Sequence, residues 1–290
     1  MKIHFITPFF MQWIEGYKRI FKDHLQKWTD VPTDLGADVT VFFWCDKKTI
    51  EYINTKEKNG KWVVFVRRYE YYAYDLETVR WDKVDSVIVV NDFIAGMLEA
   101  KTGVKPHVIY NGVSLDKWTY RKREHGNRVA CVGFVHMKKN YPLAMQIMSM
   151  VPRDYELHIV GGVQDEPTLE YLMYLAYHLR INMQIHGMIP ANEIDAWLDD
   201  KNYLLCTAIT EGNPNNVIEA MAKGIKPLVH AWPGSVEQFN EHVFFTAEEA
   251  ARMIHPESKY DSEKYRRIVE ERFSLSNYEK VREIVLGEAK

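Results

Sequence analysis

The sequence predicts an α/β chain made of two doubly wound halves, each an open parallel sheet covered by helices on both faces. Three observations carry this expectation. Short apolar runs of strand length recur along the chain, and helical patterns lie between most of them. Strands that alternate with helices are the pattern of a parallel sheet buried on both faces. The series also runs twice, divided by the polar and charged stretch RKREHGN at 121–127. A chain of 290 residues holds two α/β domains of ordinary size. The expected boundaries are a first domain over 1–120, a second over 121–275, and a last helix over 276–290 that returns to the first domain.

In the first half, strands are expected at 3–7, 39–44, 62–66, 86–90 and 107–110. A helix is expected over 16–28, where Tyr17, Ile20, Phe21, Leu25 and Trp28 share one stripe. A second helix is expected over 93–102, stopped by Gly103. In the second half, strands are expected at 129–132, 156–160, 183–186, 203–207 and 226–230, with helices at 142–150, 167–179, 192–199 and 214–223. Two Rossmann-like halves of this kind place ligands beyond the carboxyl ends of their strands, in a crevice between the domains.

Composition narrows the function classes. Apolar residues make up 47% and charged residues 27%, as in a soluble globular protein. A net charge of −3 gives no reason to expect a nucleic-acid partner. Cys45, Cys131 and Cys206 lie far apart in apolar runs and read as buried reduced thiols of a cytoplasmic protein. No run approaches the ~18 uncharged apolar residues of a membrane span. The N-terminal stretch MKIHFITPFFMQW lacks a small-residue cleavage site and reads as a first buried strand. Lys18, Arg19, Lys22 and Lys27 on the expected helix 16–28 offer a second reading, a basic-aromatic face resting on an anionic membrane.

The most informative stretch is TEGNPNNVIEAMAKGIKPLV at 210–229. Asn213 suits a helix N-cap, and Pro214 suits the first helical position, where a missing N–H costs nothing. Gly224 ends the helix before the next strand. A helix mouth with free N–H groups attracts phosphate. A carboxylate beside that phosphate would repel it. Glu211 in the loop and Glu219 inside the helix are therefore suited to neutral hydroxyls, those of a sugar and of a ribose. A diphosphate-binding helix mouth flanked by two hydroxyl acceptors suits a nucleotide-sugar.

This stretch resembles the E-x7-E signature of the retaining GT-B glycosyltransferases of family 4. That signature reads as an acidic residue, Gly, a variable residue and Pro, then Glu-Ala-Met-Ala-x-Gly. Glu211, Gly212, Pro214, Glu219, Ala220, Met221, Ala222 and Gly224 all match. The resemblance extends to VDSVIVVNDFIAGML and GVKPHVIYNGVSLDKW, which look like the close of the first domain. It also takes in RVACVGFVHMKKNYPLAMQIM, LHIVGG and MQIHGMIPANEIDAWL of the second. The implied fold is GT-B, two Rossmann-like domains facing a central cleft.

The resemblance also implies site residues. The family opens its second domain with Gly-Arg and a lysine five positions later, both cations holding the donor diphosphate. Here Gly133 is followed by Phe134, so the arginine is missing. Lys139 matches the lysine, with Lys138 beside it. Gly16 matches a glycine that lets backbone approach the donor phosphate. Gly212, Asn213, Pro214, Asn215, Asn216 and Val217 form the helix mouth at the donor. Met188 matches a loop that lies against the nucleotide base. The family histidine that touches the transferred sugar has no counterpart, and Arg68 or Tyr69 stand in its region.

The implied activity is transfer of a hexose from a nucleoside diphosphate sugar, UDP- or GDP-linked, to an acceptor hydroxyl. Glu211 would grip the sugar, Glu219 the ribose diol, and Lys139 the diphosphate. No metal and no cofactor is implied, because cations and a helix N-terminus bear the leaving group's charge. The acceptor is a glycan, a lipid-linked sugar, a protein or a small molecule. The alternatives are a GT-B sugar-nucleotide epimerase or phosphorylase, and an inactive GT-B binding or scaffold module, for which Phe134 leaves room.

Overall fold

The computed structural model describes residues 1–8 and 14–288, so part of the apolar N-terminal stretch, at 9–13, lies outside the described residues. The chain divides into two compact units, Met1–Val113 with Phe273–Lys290, and Ser114–Arg272. The division falls ahead of the expected boundary at 120. Residues 121–127 are not an open linker. Arg123 is buried, and its guanidinium donates to the backbone carbonyls of Lys223, Asp199 and Lys201 at 3.0, 2.7 and 3.0 Å. A buried cation needs such acceptors, and they fasten the stretch into the second unit.

The first unit runs β1 (Lys2–Ile6), α1 (Ile14–Ile20), β2 (Leu25–Thr29), β3 (Val39–Phe42), α2 (Lys47–Thr55), β4 (Lys61–Phe65), α3 (Arg68–Ala73), β5 (Ser86–Val89), α4 (Asp92–Thr102) and β6 (His107–Val108). Among the described residues its strands form a six-stranded parallel sheet in the order β2-β1-β3-β4-β5-β6. The central strands are mostly apolar because both faces are covered. Val39, Val41, Val63 and Phe65 join one core, and Phe42, Val64, Val87 and Val89 join another. The Asn91 side chain accepts from Ile94 N to start α4, and Gly103 ends it at φ 74°.

The expected helix over 16–28 is corrected. α1 stops at Ile20, and Leu25–Thr29 is an edge strand paired with β1. Tyr17, Phe21 and Trp28 do face the core, with Trp28 stacked on Phe5 at 4.4 Å, but Leu25 is 69% exposed. A helix and a helix–turn–strand both bury positions 17, 21 and 28, so periodicity did not separate them. The interfacial-helix reading loses its premise, since these aromatic groups belong to the core. Among the described residues no helix is long and apolar enough to cross a membrane.

The second unit runs β7 (Arg128–Val132), α5 (Tyr141–Ser149), β8 (Glu156–Val160), α6 (Glu166–Leu179), β9 (Asn182–Ile185), α7 (Ile194–Trp197), β10 (Tyr203–Cys206), α8 (Asn215–Ala222), β11 (Lys226–His230), α9 (Ser235–Phe239), β12 (Val243–Phe244), α10 (Ala247–Ile254) and α11 (Ser262–Arg272). Its described strands form a six-stranded parallel sheet in the order β12-β11-β10-β7-β8-β9. The order reverses between β7 and β10, which makes their carboxyl ends a topological switch point. α12 (Ser276–Leu286) packs Tyr278, Val281, Ile284 and Val285 into the core of the first unit. Cys45, Cys131 and Cys206 are buried free thiols.

Candidate functional site

The switch point of the second unit gathers the chemistry. β7 ends at Val132, and Gly133 follows at φ 145°. β8 ends at Val160, and Gly161 follows at φ 146°. A Cβ on Gly161 would stand 2.1 Å from the Gly133 carbonyl oxygen, and a Cβ on Gly133 would stand 2.8 Å from Lys139 Cε. Both positions need glycine for the close approach and for the backbone angle. The result is a floor of bare backbone at the ends of two adjacent strands.

Lys139 sits on a 3-10 turn, Met137–Lys139, in which His136 Nδ1 accepts from Lys138 N at 3.1 Å. The turn is stitched to the loop after β10. Thr207 Oγ1 donates to Lys139 O at 2.7 Å, and Ile209 N donates to Lys138 O at 3.0 Å. This stitching brings Lys139 Nζ to 2.6 Å from Glu211 Oε1, with both side chains mostly buried. Burial alone would lower the lysine pKa. The Glu211 carboxylate beside it more than offsets this and holds Lys139 above the ordinary lysine value. Lys138 is exposed on the same turn.

α8 carries the second carboxylate. Its N-cap is Pro214, not Asn213, which corrects the sequence reading by one residue. Asn213 is buried, and its side-chain nitrogen donates to Gln238 Oε1 at 2.6 Å. Gln238 Nε2 in turn donates to Gly212 O at 3.0 Å, so α9 braces the approach to the helix. Asn216 Nδ2 donates to Val132 O at 2.6 Å and ties the first turn of α8 to the end of β7. Val217 is fully buried, and its N–H donates to Asn216 Oδ1 at 2.9 Å within the first turn of α8. Pro214 is buried, while Gly212 and Asn215 are half-buried at the helix mouth.

Glu219 lies one turn beyond Asn216 and therefore on the same side of α8. Among the described residues its carboxylate has no hydrogen bond and no ion pair. Burial pushes its pKa up to about 7. A half-buried carboxylate in this state is an acceptor without a donor. Neutral hydroxyls would satisfy it at little desolvation cost.

Beside the glycine floor lies an apolar cleft of about 150 Å³, lined by Val132, Gly133, Phe134, Val160, Gly161, Gly162, Met188, Ile189 and Ile194. Met188 is 70% exposed at its mouth. Lys139, Glu211, Asn216, Glu219 and Met188 are thus brought to one end of one sheet. Gly16, Arg68 and Tyr69 belong to the other unit. A Cβ on Gly16 would meet the Tyr278 ring at 2.3 Å, so α12 packs directly against that glycine. Arg68 lies over the rings of Tyr72 and Phe93, and Tyr69 is exposed with its ring edge-on to Tyr74. Among the described residues no group of three or more His, Cys, Asp or Glu is placed to hold a metal ion.

Gly161, Gly162 and Ile194 were not expected in the site, and Phe134 only as the residue that replaces the family arginine. The paired glycines closing the strand at 156–160 were a readable signal, since adjacent glycines at a strand end mark close backbone approach.

The family model described as glycosyl transferases group 1 matches residues 114–270, more than half of the chain. No curated protein matches by sequence. Among solved structures, a glycosyltransferase from Rickettsia africae ESF-5 is 15% identical with a TM-score of 0.74, covering 99% of each chain. Anabaena HepE, solved in complex with UDP and glucose, is 13% identical with a TM-score of 0.75, covering 99% of this chain and 100% of its own. Sucrose-phosphate synthase from Thermosynechococcus elongatus is 13% identical with a TM-score of 0.78, covering 100% of both. At such identities these likenesses establish the fold, which is GT-B with two Rossmann-like domains. With the family match over the unit that carries the site, the chain belongs to the group 1 glycosyl transferases.

Proposed function

We propose that this chain is a retaining glycosyltransferase of the family-4 type, which moves a hexose from a nucleoside diphosphate sugar to an acceptor hydroxyl. The observation that carries the reading is the pairing of Lys139 with Glu211 at 2.6 Å beside the mouth of α8, with the unpartnered Glu219 one turn inside. Glu219 accepts from the ribose diol. Lys139, helped by Lys138 and the N–H groups at Gly212–Asn216, takes the diphosphate. Glu211 accepts from hydroxyls of the sugar. HepE, which shares the fold, was solved with UDP and glucose, and that supports a UDP-linked donor here, with a GDP-linked donor as the other member of the class.

In the proposed reaction the bond from the sugar C1 to the leaving phosphate oxygen breaks. The acceptor oxygen bonds to C1 on the same face, and its proton passes to that phosphate oxygen. Lys139 stabilises the charge that grows on the diphosphate, so no metal is required. The acceptor is a hydroxyl of a glycan, a lipid-linked sugar, a protein or a small molecule. The proposed location is the cytoplasm, where nucleotide-sugars are available.

Glu219 gives the test. Its carboxylate must be ionised to accept from both ribose hydroxyls, and its pKa stands at about 7. Nucleoside affinity should therefore hold above pH 7 and fall as the pH drops through that value, because protonation removes the acceptor. The matching nucleoside is the probe, since its own groups do not titrate near neutral pH. Glu219→Gln should weaken binding at pH 8 by roughly ten- to a hundredfold, the worth of a charge-assisted hydrogen bond, and should flatten the pH profile. Wild-type affinity in the variant, or the same pH slope in both proteins, would remove Glu219 from the ribose.

A further inference from the structure

We infer that the outer face of α6 is the contact surface for a second copy of this chain, in a two-fold dimer centred on Tyr174. α6 runs along one margin of the second unit. It packs against α5, which also packs against α10, and it leads into β9, the last strand in the order of its sheet. Thr168 and Leu172 turn inward and are buried. The opposite face carries Tyr171, Tyr174 and Tyr177, which are 48%, 59% and 80% exposed. Single exposed aromatic side chains are ordinary, but three along one stripe of one helix form the kind of contiguous patch that marks a contact surface. Tyrosine is also among the residues enriched where proteins meet.

Spacing and charge select a copy of the same helix as the occupant. At 3.6 residues per turn, Tyr171 and Tyr177 lie about 60° to either side of Tyr174, and about 4.5 Å below and above it. Glu170 and His178 lie about 40° to either side, and about 6 Å below and above. A two-fold axis through Tyr174, perpendicular to the helix, exchanges the members of each pair. On two antiparallel helices it sets Tyr174 against its own image, Tyr171 against Tyr177 and Glu170 against His178. A two-fold contact must be self-complementary, and these pairings are: ring meets ring, and an imidazole N–H meets a carboxylate that accepts it. His178 also packs on the Tyr174 and Tyr177 rings, at 4.2 and 5.2 Å between centroids. The aromatic groups are thus held against one another within one chain.

The three tyrosines offer roughly 400 Å² of surface, about half of the ~800 Å² that each partner gives to a standard interface. The expected dimer is therefore reversible and depends on concentration. None of these side chains lines the cleft beside the glycine floor, so substitutions on this face spare the site.

The test is sedimentation velocity over a range of protein concentrations, on wild type, Tyr174→Glu, Glu170→Lys, and the exchange Glu170→His with His178→Glu. Wild type should pass from monomer to dimer as the concentration rises. Tyr174→Glu sets two carboxylates against each other on the axis and should weaken the dimer at least about thirtyfold, the scale of a residue at the centre of an interface. Glu170→Lys should weaken it several-fold. The exchange should restore it, because the axis pairs positions 170 and 178 whichever residue stands at which. All three substituted positions are exposed, and melting temperature checks that each variant is folded. Tyr177→Glu replaces Tyr174→Glu if the latter melts lower. A wild type that stays monomeric up to its solubility limit overturns the dimer. A dimer left intact by Tyr174→Glu places the contact elsewhere and overturns it too. So does a monomeric wild type that phospholipid vesicles capture while Tyr174→Glu stays free, which would give this face to a lipid surface.

Discussion

Glu211→Ala should abolish sugar transfer while leaving free nucleoside diphosphate bound as tightly as before, or more tightly. The asymmetry follows from the ion pair. In the free protein Glu211 holds Lys139 at 2.6 Å, so removing it takes away a sugar ligand and at the same time releases a cation to the phosphates. The loss in kcat should be at least about 100- to 1,000-fold, the scale seen when one group aimed at the reacting centre is deleted. Titration of the nucleoside diphosphate and turnover of the nucleotide-sugar in the same preparation give the comparison. Equal loss of free nucleotide binding in Glu211→Ala and Glu219→Gln, with both folded, would show that the two carboxylates do not divide sugar from nucleotide.

Removing the cation should have the opposite profile. Lys138→Ala with Lys139→Ala should cost about ten- to a hundredfold in affinity for the diphosphate, from the loss of charge-assisted hydrogen bonds, and much less for the nucleoside. Most of that loss should appear in Lys139→Ala alone. Lys139 is mostly buried against Gly133 and Glu211, where its charge is poorly screened, and Lys138 is exposed. Nucleoside, monophosphate and diphosphate titrated into both variants separate the contributions. Equal weakening of all three ligands would mean that these lysines do not read phosphate.

Sequence and structure agree where local chemistry decides the outcome. β4 and β5 were legible as continuous apolar runs, and α4 as a helix between Asn91 and Gly103, because burial and capping act over a few residues. β2 was not, because an edge strand covered on one face leaves only Trp28 as a strong core contact, and a helix satisfies that contact equally well. α10 carries a capping box, Thr246 with Glu249, which is readable in principle. The site divides in the same way. Glu211 and Glu219 belong to one short motif. The Lys139–Glu211 pair depends on two loops meeting at the β7/β10 switch point, and the Phe134–Met188 cleft depends on three strand ends lying side by side. Asn213 shows the limit of cap rules: its residue type suits an N-cap, but the helix starts one residue later, with Pro214 at the cap position.

The most direct measurement follows the anomeric proton by NMR while the chain turns over UDP- and GDP-hexoses in excess simple alcohol, with and without EDTA. The expected result is an alkyl glycoside with the donor's own anomeric configuration, formed at the same rate in chelator. An inverted product would contradict the retaining mechanism. Turnover lost in EDTA and restored by Mg²⁺ or Mn²⁺ would contradict the assignment of the leaving group's charge to Lys139 and the mouth of α8.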